Sequence, residues 1–190
     1  MEKKTMMVDM DDVLCHSQIL TYINEFLGTN YEYDDFTQYK LQCLLEDEKD
    51  AFWQWVCQYN LYDGAELFPD AKEVLEEYHK YIDFYIVTAY LWDGIVDISA
   101  DNLKNKYNYL KSELPFINPD RYIFTTNKKL MSFDIRLDDK VENIDHPAAE
   151  TKLLYTEWHN RFITDNELNK LGIKRVNNWQ EVGRELSKRI

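Results

Sequence analysis

Basic residues are the scarce class in this 190-residue chain: 22 Lys and Arg stand against 35 Asp and Glu, for a formal charge of −13. Binding a nucleic-acid backbone by counterion release needs a basic surface, so a nucleic-acid polymer is not expected as the main partner. Cysteine is nearly as sparse. Cys15, Cys43 and Cys57 form neither a CxxC pair nor an even framework, which points to reduced thiols in a cytoplasmic protein. With 5 Gly and 4 Pro, a fibrous repeat or a disordered low-complexity chain is out of reach. No run approaches the roughly 18 apolar residues of a membrane helix, and Met1-Glu2-Lys3-Lys4-Thr5 has no apolar stretch of signal-peptide type, so no membrane partner is expected. A homodimer is left open. What the chain does have is 45% hydrophobic and 15% aromatic residues, enough for one ordinary core with a modest insertion.

The stretch Met6-Met7-Val8-Asp9-Met10-Asp11-Asp12-Val13-Leu14-Cys15 organises the rest. An apolar run of strand length stops in three carboxylates, which invites a positive partner. Hard oxygen ligands at i, i+2 suit Mg²⁺, which takes one or two protein carboxylates and completes its shell with water and substrate oxygens. A helix N-cap followed by first-turn acids has the same appearance, so the patch alone decides nothing.

Downstream, Ile19, Leu20, Ile23, Phe26 and Leu27 recur at helical spacing over Ser17–Leu27, with Gly28 as the residue just past the helix. Asn30–Lys40 reads as an irregular connection. Helical spacing returns over Leu41–Tyr59, with Glu46-Asp47-Glu48 starting a second helix inside it. A helix opening at Pro69 then leads to the strand Phe84–Thr88, and helix and strand alternate from there: helix Leu103–Leu114, strand Tyr122–Thr125, strand Ser132–Leu137 ending in Asp138-Asp139, strand Lys152–Tyr155, and a closing helix Trp179–Ile190. This order predicts an α/β fold, a three-layer Rossmann-like parallel sheet of five strands with helices on both faces. Residues 1–16 and 66–190 would form the core domain and 17–65 a small helical cap inserted after the first strand. Ligands of such sheets lie beyond the carboxyl ends of the strands. Asp9 and Asp11, Thr88, Lys128, and Asp138 with Asp139 all fall at those ends.

Asp9-Met10-Asp11-Asp12-Val13, Thr88 after an apolar strand, Lys128, and Asp138-Asp139 ten residues beyond that lysine resemble the four motifs of the haloacid dehalogenase-like (HAD-like) phosphohydrolases. Phe68-Pro69-Asp70-Ala71, Lys106-Tyr107-Asn108-Tyr109-Leu110 and His159-Asn160 narrow the likeness to the 5′(3′)-deoxyribonucleotidases. Two positions depart from that pattern. Asp12 stands where many relatives have Gly and adds negative charge, and Ala89 offers no hydroxyl, so one phosphate contact is expected to be missing.

The resemblance implies a Mg²⁺-dependent phosphomonoesterase acting on a small nucleoside monophosphate. A phosphate monoester carries about two negative charges, so a carboxylate nucleophile needs a cation to hold the encounter together. Asp9 is the expected nucleophile, forming an aspartyl-phosphate. Asp11 is the expected acid and base, with a pKa raised by crowding from Asp9, Asp12 and Asp139. Metal ligands would be Asp9, the Asp11 main-chain carbonyl, and either Asp139 directly with Asp138 as an orienting partner, or the reverse. Thr88 and Lys128 would hold the phosphoryl group, with Lys129 as the solvated neighbour. Asp134, His16 and Cys15 are read as structural. The aromatics Phe36, Tyr39, Phe52, Trp53, Trp55, Tyr59 and Tyr62 would mostly build the cap core, and Phe36 and Tyr62 are the candidates for stacking on a base. Two other outcomes share these residues: a phosphatase for another small phosphomonoester such as a sugar phosphate, or a nucleotide-binding module with a spent site.

Overall fold

Met6, Met7 and Val8 are fully buried in strand β1 (Lys4–Val8) because both faces of that strand are covered. The computed structural model describes residues 3–37, 41–91 and 99–190. Among them, helices α1 (Ile19–Leu27) and α2 (Lys49–Val56) follow β1, and then α3 (Ala71–Tyr78), β2 (Ile82–Thr88), α4 (Ser99–Glu113) and β3 (Tyr122–Phe124). The chain continues through β4 (Ile135–Asp138), α5 (Val141–Ile144), β5 (Thr151–Tyr155), α6 (Asp165–Lys170), β6 (Ile173–Val176) and α7 (Trp179–Leu186). All strand pairs are parallel, in the order β3-β2-β1-β4-β5-β6. The chain builds outward from β1 on one side, then crosses and builds outward on the other. The reversal between β1 and β4 opens a crevice at their carboxyl ends, and the acidic residues sit there.

One sheet face carries the main core, where Met6, Phe84, Ile86, Ile135, Leu137 and Leu153 meet side chains of α3, α4 and α7. Helix α7 packs on α3 at Gly183, where even a Cβ would meet a methyl of Val74 at an ordinary contact distance of 3.4 Å. The opposite face carries smaller clusters, one of Met7, Val87 and Phe133 and one of Ile144, Leu154, Leu168 and Ile173. Gly28, at φ 67°, closes α1 with its N–H on the Asn24 carbonyl, the left-handed cap expected of it.

Three expectations need correction. The sheet has a sixth strand, β6, whose Lys174 and Arg175 break the apolar run because an edge strand is only partly covered. Leu41–Glu48 is a 3₁₀ helix, and the α-helix starts only at Lys49. Strand β4 starts at Ile135 rather than Ser132, since the preceding residues are spent in the crossover from β3. No described helix is long and apolar enough to cross a membrane.

Candidate active site

The β1 ladder runs one residue past the strand, with the Asp9 N–H donating to the Leu137 carbonyl at 3.0 Å, so the Asp9 side chain stands at the mouth of the crevice. Across from it, Lys128 lies in the crossover from β3 to β4. Its ammonium is 2.5 Å from Asp9 Oδ2 and 2.7 Å from Asp138 Oδ2. Burial pushes both carboxyls up, against the pull of Lys128. Burial alone would lower Lys128, but Asp138 and Asp9 on either side hold it above the usual lysine range.

The neighbouring acids at the end of β4 are treated differently. Asp138 accepts from three donors: Lys128, the Lys140 N–H at 3.0 Å and Asn143 Nδ2 at 3.0 Å. Asp139, 1% exposed, accepts no hydrogen bond at either oxygen, although His159 Nε2 lies 2.9 Å from its Oδ2. A buried carboxylate short of donors is costly unless a cation completes it. Oxygens of Asp9, Asp138 and Asp139 lie within 4.8 Å of one another, an all-oxygen set of the kind that suits a hard divalent cation.

Past Asp9 the chain coils at once. The Leu14 N–H reaches the Met10 carbonyl at 2.8 Å, the Asp12 N–H reaches the Cys15 carbonyl at 2.8 Å, and Asp12 takes the left-handed conformation at φ 62°. Glycine adopts that conformation freely, and an Asp tolerates it at a modest cost. The loop is clamped from outside by the Trp179 indole, which donates to the Val13 carbonyl at 2.8 Å.

The turn presents Asp11 to three donors. Tyr62 donates its hydroxyl at 2.6 Å, the Lys106 ammonium reaches the other oxygen, and the Thr88 hydroxyl lies 3.4 Å from it. Lys106 also donates to Thr88 Oγ1 at 2.7 Å and to the Ala89 carbonyl at 2.5 Å. The expected upward shift of Asp11 is therefore corrected. Burial does push its carboxyl up, but the adjacent Lys106 and the Tyr62 hydrogen bond outweigh burial and hold it below the usual range.

Asp9, Asp11, Thr88, Lys128, Asp138, Asp139 and Tyr62 thus converge. Phe36 does not: its ring is 5.5 Å from Tyr31, and it lines neither cavity beside Asp11. Tyr39 lies outside the described residues. The first of these cavities, of about 170 Å³, runs under the helical segment and is walled by Tyr33, Trp53, Tyr62 and Trp158. The second, of about 410 Å³, opens on the other side of Asp11 and is lined by Lys128, Lys129 and Lys140 with Thr125 and Asn127. Cys15 is buried, and His16 packs between Tyr33 and Phe68 while approaching Glu157 at 3.1 Å. Asp134 binds the Thr5 N–H and hydroxyl at the opposite end of the sheet.

Lys106, Tyr33 and Trp158 also face the site, outside the residues the strand-end pattern marks. Lys106 had a signal: it shares the buried face of α4 with Asn102, Tyr109 and Leu110, and a lysine on an inward face needs a partner. Tyr33 and Trp158 come from distant segments and meet only in the fold, with ring centres 4.4 Å apart.

The fold is that of the HAD-like hydrolases. A HAD-like family hydrolase from Streptococcus pneumoniae superposes with a TM-score of 0.55 at 18% identity, covering 97% of this chain and 98% of that one. Residues 3–188 match the family described as 5′ nucleotidase, deoxy (Pyrimidine), cytosolic type C protein, and the chain belongs to that family. It is accordingly a phosphoric monoester hydrolase of the 5′-nucleotidase type. Curated relatives include the 5′(3′)-deoxyribonucleotidases of Bacillus subtilis (strain 168) and of Bacillus phage SPbeta, each 26% identical over 186 residues, covering 97% of this chain and 99% of the relative.

Proposed function

We propose that the chain is a Mg²⁺-dependent 5′(3′)-deoxyribonucleotidase working through an aspartyl-phosphate on Asp9. The observation that carries this reading is the arrangement of Lys128 between Asp9 and Asp138, with the buried, donor-poor Asp139 beside them. Asp9, the Asp11 carbonyl and Asp139 would hold the cation, with Asp138 orienting, since Asp138 already has three donors and Asp139 has oxygens to spare. Bound there, Mg²⁺ supplies the positive charge that offsets repulsion between Asp9 and a dianionic phosphoryl group.

Asp9 attacks phosphorus, the bond from phosphorus to the ester oxygen breaks, and Asp11 gives the leaving alkoxide a proton. Water then attacks the phosphoryl-aspartate as Asp11 takes its proton back. Lys106 favours the ionised, base form of Asp11. An incoming phosphate that draws the donors of Lys106 and Thr88 to its own oxygens would restore the proton affinity that the acid step needs. Lys128 neutralises charge on Asp9 and on the phosphoryl group.

Residues 17–65 act as a cap over this site. Its two ends are stitched together by the Cys15–Leu67 bridge and by the Gln18 N–H on the Leu61 carbonyl at 2.7 Å, so it can move as a unit. The lysine-lined cavity takes the phosphate and the aromatic one the nucleoside, with Tyr33, Trp53, Tyr62 and Trp158 rather than Phe36 facing the base. Three free thiols suit a reducing cytoplasm.

Phosphate release from a panel of 5′- and 3′-deoxynucleotides, ribonucleotides and sugar phosphates, with EDTA and after Mg²⁺ is restored, tests the reading. A deoxynucleotide should lead, EDTA should abolish turnover, and Asp9→Asn should lower kcat by at least about 10³-fold. A sugar phosphate as best substrate would reassign the enzyme, and nucleotide binding without turnover in the parent chain would reduce it to a binding module.

A further inference from the structure

The segment that carries Lys128 is unusually bare. Residues 125–134 leave the carboxyl end of β3 and must reach the amino end of β4, passing over β2 and β1. That path is about 14 Å sideways and about 15 Å back along the sheet. The straight-line span is therefore about 20 Å, whereas ten residues in an α-helix would rise only about 15 Å, so an ordinary covering helix cannot bridge it, and only the 3₁₀ turn Lys128–Leu130 forms. Its apolar hold on the sheet is the small cluster of Met7, Val87 and Phe133 with Met131 at its edge.

Inside that cluster sits a charge. Arg136, on β4 directly opposite Met7 of β1, is 0% exposed. One guanidinium nitrogen donates to the Met131 carbonyl at 2.9 Å; the other donates to the Lys128 carbonyl at 2.8 Å and lies 3.3 Å from the Met7 sulfur. These partners are carbonyls and a thioether, not a carboxylate. A methionine would fill similar space among apolar neighbours without the cost of burying a cation. What arginine adds is a rigid fork that ties two carbonyls of a helix-free crossover to the strand beneath.

We propose that Arg136 is a positioning residue for Lys128: by pinning the carbonyls of Lys128 and Met131 it fixes the ammonium between Asp9 and Asp138. The inference rests on Lys128 serving the phosphoryl transfer proposed above. It acts through the backbone of the crossover and touches no substrate. Lysine at 136 can reach only one of the two carbonyls, so it should restore part of the effect.

The test is steady-state kinetics on Arg136→Met and Arg136→Lys, alone and combined with Lys128→Met, with hydrogen exchange on each protein. A displacement of about 1 Å at Lys128 is expected to lower kcat about 100-fold in Arg136→Met, with KM within a few-fold. Arg136→Lys should fall between, and adding Arg136→Met to Lys128→Met should cost little more. Exchange should quicken within 125–134 and not elsewhere in the sheet. A folded Arg136→Met enzyme with kcat within twofold of the parent, an equal loss in the Lys128→Met background, or faster exchange spread over the whole sheet would overturn the proposal. If Arg136→Met does not fold, Arg136→Lys carries the same comparisons. Should the parent release no phosphate from any substrate, the exchange pattern still decides whether Arg136 holds the crossover, so the two readings fail separately.

Discussion

Asp134 and Asp139 are carboxylates five residues apart at opposite ends of one strand, and the fold treats them in opposite ways. Asp134, at the amino end, accepts the Thr5 N–H at 2.7 Å and the Thr5 hydroxyl at 2.8 Å, and so fastens β4 to β1. Asp139, at the carboxyl end, is more deeply buried and accepts no hydrogen bond. A carboxylate that serves stability is supplied with donors. One left short of donors keeps attraction in reserve for a ligand.

Asp139→Asn should cost at least about 10³-fold in kcat by weakening the cation site. In metal-free protein it should leave the melting temperature unchanged or raise it, because the repulsion of Asp139 with the buried carboxyls of Asp138 and Asp12 is removed. A lower melting temperature with full activity would place Asp139 with Asp134 instead. Lys106→Met should come next, with a loss of about 100-fold in kcat as Asp11 loses the ammonium that favours its base form, measured on a substrate with a good leaving group, so that hydrolysis rather than leaving-group protonation limits turnover.

The smallest effect is expected at Asp134→Ala, about 1–2 kcal/mol of stability by urea titration at neutral pH with kcat unchanged. The donation from the Thr5 N–H holds the Asp134 carboxyl below the usual range in the fold. The unfolded chain therefore takes up this proton first as pH falls. Its contribution is complete above the unfolded pKa and disappears as pH drops through the lower folded one, so the gap between parent and variant should close in acid. A gap that widens in acid would contradict the assigned hydrogen bonds.

Much of this site could be read from sequence because its chemistry is local to strand ends. Asp9 and Asp11 follow an apolar run, Thr88 ends one, and Asp138-Asp139 ends another. Each is visible in a window of a few residues. The α/β class followed from the same alternation, which survived the loss of one strand: β6 hides behind Lys174 and Arg175 at an edge. Lys106 was harder, since its partner Asp11 lies 95 positions away and mid-helix lysines are normally solvated. The donor count that separates Asp138 from Asp139 involves Asn143 and Lys128, whose reach no spacing rule gives. Phe36 offers the sequence only an aromatic ring, and a ring on an irregular connection has no periodicity to say which way it faces.

The indole of Trp179 bonds to Val13, 166 residues earlier in the chain. A ribosome delivers Asp9 and its turn well before this clamp, so a nascent chain carries the turn long before it carries the brace that holds it. Competence should therefore arrive abruptly, when α7 docks against the turn.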